Sequence, residues 1–95
     1  LAEEIEGSSV FRRSAGQVSC TINGEVAILS LEKAVYFGLQ GAGVQIWEAL
    51  EQPRSVDDLC RSVMSEFEVS PEQCRKDVVR LLAEMRKEGL VESVD

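Results

Sequence analysis

Three cysteines, Cys20, Cys60 and Cys74, are the side chains of this sequence best suited to nucleophilic attack or to soft-metal binding, and no histidine accompanies them. A catalytic thiol needs a base or a cation beside it to form the thiolate. A tetrahedral zinc site is built from Cys and His at short spacings. Here no two cysteines stand in a C-x-x-C spacing. Their odd number and scatter fit reduced, mostly buried thiols, not a metal site or a disulfide framework. Carboxylates are the other candidates for acid–base work, with 17 Asp and Glu against 10 Lys and Arg. They fall at helix caps and on solvent-facing helix positions, where solvation and capping account for them. The stretch "GLQGAG", Gly38 to Gly43, follows a strand and opens a helix, as a phosphate-binding turn does. It lacks the G-x-G-x-x-G spacing, the crossover and the acidic partner of a dinucleotide site. These patterns point to no catalytic residue, no metal and no cofactor.

Backbone chemistry is what remains, and the elements show where it would lie. "QVSCTI", Gln17 to Ile22, alternates Val18, Cys20 and Ile22 against polar residues, the period of a half-buried strand. Asn23-Gly24 is a hairpin signal, because both residues tolerate positive φ. "EVAILSL", Glu25 to Leu31, is apolar on both faces and reads as a central strand. Glu32-Lys33 turns the chain into "AVYF", Ala34 to Phe37, an apolar strand with no charge in it. A meander of these three puts Ala34–Phe37 at an edge. Edge strands present unpaired N–H and C=O groups and are normally guarded by charge, proline or a bulge; this one is unguarded. An extended peptide can add to such an edge by β-augmentation. Roughly four to six main-chain hydrogen bonds at about 0.5–1.5 kcal/mol each, with two apolar anchors at about 1.5–3 kcal/mol each, would exceed typical ordering costs. The plainer alternative is that the strand is core, or pairs with "SVFRRS", Ser9 to Ser14.

The second half reads as helices. Ala42 to Glu51 carries Ile46, Trp47 and Leu50 on one side and stops at Pro53. Ser55 and Asp58 form a capping box for a helix with Val56, Leu59, Cys60, Val63, Met64 and Phe67 on its apolar stripe. Ser70, Pro71 and Gln73 open a third helix that Gly89 closes, and "LVESV" follows as a short strand or tail. The expected fold is α+β, winged helix-turn-helix-like, a three-stranded antiparallel sheet followed by three helices. Its 95 residues make one domain, 1–95, with residues 1–8 expected to be disordered. A net charge of −7 and a pI near 4.6 disfavour nucleic acid and anionic membrane, both polyanions. A winged helix reads DNA with its second turn-linked helix, yet here the leading end of that helix offers Glu72, Gln73 and Asp77. No apolar run approaches the ~18 residues needed to span a membrane, and the acidic "LAEEIEGSSVF" lacks the plan of a signal peptide. A cytoplasmic location is expected.

The ordered set "VAILSLEKAVYFGL", "GAGVQIWEAL", "RSVDDLCRSVMSEF", "VSPEQCRKDVVRLLAEM" and "GLVE" resembles the PqqD-like domain, the recognition element of ribosomally made, post-translationally modified peptides. The resemblance runs from Val26 to Glu92. It departs at Gln40, where the family commonly has Asn. It implies a non-catalytic module that holds the leader segment of a precursor peptide, added as a strand on the third β-strand in the groove against the third helix. The pattern looks most like the lasso-peptide branch, where the partners are a leader-cleaving cysteine protease and a macrolactam-forming cyclase. The PQQ-pathway branch, with a radical SAM partner, and a winged-helix DNA-binding protein are the alternatives. On the third helix, Cys74, Val78, Leu81 and Met85 are expected to face the core, and Arg75, Val79, Leu82 and Arg86 to form the groove wall, partly exposed. The expected peptide contacts are Ala34, Val35, Tyr36, Phe37, Gly38, Arg75, Val78, Val79, Leu82 and Arg86. Trp47 is expected in the core, and Gly38, Gly41 and Gly43 to let the strand pass into the helix.

Overall fold

A computed structural model describes residues 5–94. These residues form strands β1 (Val10–Arg13), β2 (Gln17–Ile22), β3 (Glu25–Ser30) and β4 (Val35–Leu39), helix α1 (Ala42–Ala49), strand β5 (Arg54–Ser55), helices α2 (Val56–Glu66) and α3 (Pro71–Lys87), and strand β6 (Val91–Val94). The strands make two antiparallel sheets, ordered β2-β3-β4 and β5-β1-β6. The expected meander, central strand and three helices are present; the second sheet adds to them. Of residues 1–8, expected to be disordered, residues 5–8 are described. There Gly7 is buried, and its carbonyl accepts from the Asp57 N–H at 3.0 Å. Residues 1–4 lie outside the described range.

Local chemistry explains the turns. Asn23 and Gly24 take φ of 53° and 80°, so a two-residue turn closes β2 onto β3 with Ile22 opposite Glu25. The link from β3 to β4 is Leu31 to Ala34. Ala34 has φ 57°, which costs an L-residue about 1–2 kcal/mol. It is held there by its N–H to the Ser30 carbonyl at 2.8 Å. The strand therefore starts at Val35, not at Ala34 as the sequence suggests. Gly41 leads into α1 with φ 56° and ψ −126°, a conformation open only to glycine.

Helix ends follow their signals. The Ser55–Asp58 box opens α2, and the bonds to Ser55 N–H and to Arg61 hold the Asp58 carboxyl below the usual range. Ser70 caps α3, its hydroxyl accepting from the Gln73 N–H at 3.1 Å, but the Gln73 side chain reaches forward to Asp77 and leaves the box incomplete. At the far end Leu90 N–H bonds Met85 O at 2.8 Å and Gly89 N–H bonds Arg86 O at 3.0 Å, the paired closure of a Schellman motif.

The core lies between the inner face of β2-β3-β4, the three helices, and Phe11 and Val91 of the second sheet. Trp47 sits at the junction. Its indole N–H donates to Ser19 Oγ at 3.2 Å, and Arg13 stacks 4.2 Å over its ring. Burial lowers the Arg13 pKa, with Glu51 and Glu48 opposing. Two expectations change here. Alternation in β2 was expected to bury Val18, Cys20 and Ile22, yet that face is open, with Val18 52% and Ile22 60% exposed. On α3 the core positions are Cys74, Val78, Leu82 and Met85, while Leu81 is half-buried. Two adjacent leucines let the apolar stripe be drawn through either one, and the position of α2 and β6 selects Leu82.

Candidate functional site

Hydrogen-bond parity shows what the β4 edge offers. In a two-residue hairpin the residues flanking the turn form a hydrogen-bonded pair, and such pairs alternate along the ladder. Ile22–Glu25, Cys20–Ala27 and Val18–Leu29 are then the bonded pairs of β2 and β3. The backbone groups of Val26, Ile28 and Ser30 turn the other way, to Leu39, Phe37 and Val35 of β4. The N–H and C=O groups of Tyr36 and Gly38 consequently point away from the sheet. Among the described residues no strand pairs with that side of β4. Ser9–Ser14 does not occupy it, since β1 pairs with β5 and β6.

Side chains divide by face. Val35, Phe37 and Leu39 point inward, with Leu39 buried and the other two half-buried. Tyr36 points outward and is 71% exposed. Its ring lies beside Gly38, where an added Cβ would sit 3.6 Å from the Tyr36 hydroxyl. Tyr36 joins Val18, Ile22 and Leu29 in an apolar outer face, all four exposed. The apolar second face of β3, which suggested a doubly covered strand, is this uncovered surface.

The helix wall differs from the one expected. A Cβ placed on Gly43 would lie 3.2 Å from Leu39 Cδ2 and 3.7 Å from Leu81 Cδ2, so Leu81 stands at the β4 side of α3. Lys33, just before β4, donates to the Lys87 carbonyl at 3.0 Å. The flank of α3 toward β4 is therefore Leu81, Glu84 and Glu88, one stripe by helical spacing. Arg75 instead approaches Asp57 at 3.9 Å. Arg86 bonds Ser93 at 3.2 Å and lies over the Phe11 ring. Arg75, Val79 and Arg86 thus line the flank toward α2 and the second sheet. Val78 and Leu82 are core, 1% and 0% exposed. Of the expected contacts, the structure brings Val35, Tyr36, Phe37 and Gly38 together on one edge and leaves Ala34 in the turn before it. It does not bring the five helix residues to that edge. The missed wall had a signal, the alternative stripe through Leu81, but its acidic members read as solvated surface.

Cys60 and Cys74 are buried against each other between α2 and α3, with Cys74 Sγ 3.7 Å from the Cys60 carbonyl. Burial, and then Cys74, push the Cys60 thiol up to about 11, the opposite of an activated nucleophile. Cys20 is exposed on the outer sheet face, not buried as expected. No group of three or more His, Cys, Asp or Glu among the described residues could hold a metal ion. No described helix is long and apolar enough to cross a membrane.

Comparison with known proteins adds three findings. Residues 25–91 match the family model described as coenzyme PQQ synthesis protein D (PqqD). The solved structure described as "TbiB1 in Complex with the TbiA(beta) Leader Peptide" superposes with a TM-score of 0.80 at 28% identity, covering 85% of this chain and 94% of that one. "Lasso peptide synthetase B1 complexed with the leader peptide" superposes with a TM-score of 0.72 at 19% identity, covering 86% and 96%. At that identity the second likeness is one of fold. No curated protein matches the chain at a significant level.

Proposed function

This chain belongs to the PqqD family, and from that premise we propose that it is a non-catalytic recognition module. It binds the leader segment of a ribosomally made precursor peptide as a strand added to β4 and presents that peptide to maturation enzymes. The observation that carries the reading is the open β4 edge, with Tyr36 and Gly38 directing backbone donors and acceptors outward. The half-buried Val35 and Phe37 and the Leu81 flank of α3 form the groove beside it. TbiB1, which carries a leader peptide in its solved complex, supports the ligand class, and the sequence resemblance from Val26 to Glu92 favours the lasso branch. DNA binding is not favoured, because the first turn of α3 exposes Glu72 and Gln73 on a chain of net charge −7.

Hydrogen exchange tests this sharply. Peptides selected on the protein from a random display library should slow exchange at the Tyr36 and Gly38 amides. The Val35, Phe37 and Leu39 amides, already bonded to β3, should change less. Protection elsewhere with Tyr36 and Gly38 unchanged would sink the proposal.

We assign the outer sheet face to the partner enzyme. Exposed apolar patches on small proteins mark interaction sites, and Val18, Ile22, Leu29 and Tyr36 lie on the side away from the core. In the lasso branch that enzyme is the leader-cleaving cysteine protease, with the macrolactam-forming cyclase acting after it, and all would share the reducing cytoplasm. Leu29→Glu should fold, bind selected peptide as the parent does, and lose about tenfold or more in delivery to the protease, since a carboxylate is desolvated at the contact. Cleavage at the parent's rate would remove the protease from this face.

A further inference from the structure

Gly38 sits inside β4, yet its backbone does not call for glycine, because its φ is not among the positive ones. A glycine within a strand weakens it and often marks a place where a ligand or another chain comes close. Opposite it on β3 is the small Ala27. The two floor a shallow hollow of about 520 Å3 on the outer face of the sheet. Tyr36, 71% exposed, stands on one side of it, and Ile22, Glu25 and Gln40 stand on the other. The core and the three helices lie behind the opposite face, so this hollow is separate from the groove beside α3.

The ladder decides which side chain of a bound strand enters. Gly38 turns both backbone groups outward, so one residue of an antiparallel added strand lies directly opposite it and exchanges both bonds. Directly opposite residues share a face. That residue therefore projects onto the outer face, with no Cβ at position 38 to deflect it. Neighbouring strands lie about 4.8 Å apart, so a long side chain crosses Gly38 to reach Ala27, and a short one stops at the edge. Charge selects among the long ones. No lysine or arginine lines the hollow. Glu25, exposed at the start of β3, makes no ion pair among the described residues. An aromatic ring such as that of Tyr36 attracts a cation over its face, and the stems of lysine and arginine cover apolar surface while their heads stay in water.

We infer that this hollow is an outer-face subsite for one cationic side chain, arginine or lysine, on the peptide residue opposite Gly38. Its stem lies over Gly38 and Ala27, and its head lies between Tyr36 and Glu25. The inference rests on the peptide-binding reading above and adds a charge-reading determinant on the sheet face turned away from α3.

The probe is the set of peptides selected from the random display library that protect Tyr36 and Gly38. Cross-strand contacts of the Gly38 amide, read by NMR, identify the peptide residue opposite it. That residue should be arginine or lysine, and its replacement by alanine should weaken binding about fivefold. Glu25→Lys should reverse the preference, so that a peptide with glutamate at that position binds better than the cationic one. Glu25→Gln should remove most of the difference between them, the coupling expected of residues in contact. Glu72→Lys changes the net charge as much as Glu25→Lys does, from the exposed first turn of α3, and should leave the preference as it is. Edge-protecting peptides with no cation opposite Gly38, or a preference that Glu25→Lys and Glu72→Lys shift alike, would overturn the subsite and leave the peptide-binding reading standing. Failure to select any edge-protecting peptide would overturn both.

Discussion

Leu82→Asp should leave the protein unfolded. Leu82 is 0% exposed in the middle of α3, on the stripe shared with Val78 and Met85 that closes the core. Truncating such a leucine to alanine costs about 2–5 kcal/mol. Aspartate loses the same packing and adds a polar group that costs about 2–7 kcal/mol to bury without a partner. A domain of this size has about 5–15 kcal/mol in all. Circular dichroism should show no cooperative thermal transition for Leu82→Asp. Leu81→Asp, on the half-buried flank toward β4, should keep a transition and lose affinity for edge-protecting peptides. A parent-like melt for Leu82→Asp would return the helix to the orientation the sequence suggests, with Leu82 in the groove wall.

The contrast between these two leucines shows which parts of the molecule were legible. Caps and turns follow from a few neighbouring residues, so Asn23-Gly24, the Ser55–Asp58 box, Ser70 and Gly89 were readable in place. The edge position of the third meander strand was readable too, because short links force neighbours together. Helix rotation is different. The pair Leu81-Leu82 fits two stripes separated by about 100° of helix, and only packing against distant elements decides between them. That one choice moved the entire helix half of the expected site, sending Arg75 and Arg86 to the flank near Asp57, Ser93 and Phe11. The second sheet was illegible for a related reason, since β1 finds β6 across nearly the whole chain. The outer face of β2 and β3 misled because alternation reports an apolar face and not what covers it. Val18 and Ile22 have the pattern of buried residues and are open.

Gly38→Pro should abolish capture of edge-protecting peptides while the domain stays folded, and Gly38→Ala should do neither. The parity of the β3–β4 ladder turns the Gly38 N–H outward, so proline removes a donor that β3 does not use. Proline is tolerated on edge strands with that N–H toward solvent, and an added Cβ meets only the Tyr36 ring, at 3.6 Å or more. Stability should therefore fall little. For an incoming strand the change is severe. The peptide carbonyl loses its donor and is left unpaired, at about 1–3 kcal/mol, and the ring occupies the space the carbonyl needs. Together these predict a loss of about a hundredfold or more. Phe37→Pro supplies the opposite control. The Phe37 N–H faces Ile28 across the ladder, so its removal should lower the melting temperature before binding is ever measured. Titration calorimetry of the three variants, with melts recorded in parallel, reads both effects. Undiminished binding by a folded Gly38→Pro protein would mean that the peptide is held by side chains alone, somewhere other than this strand.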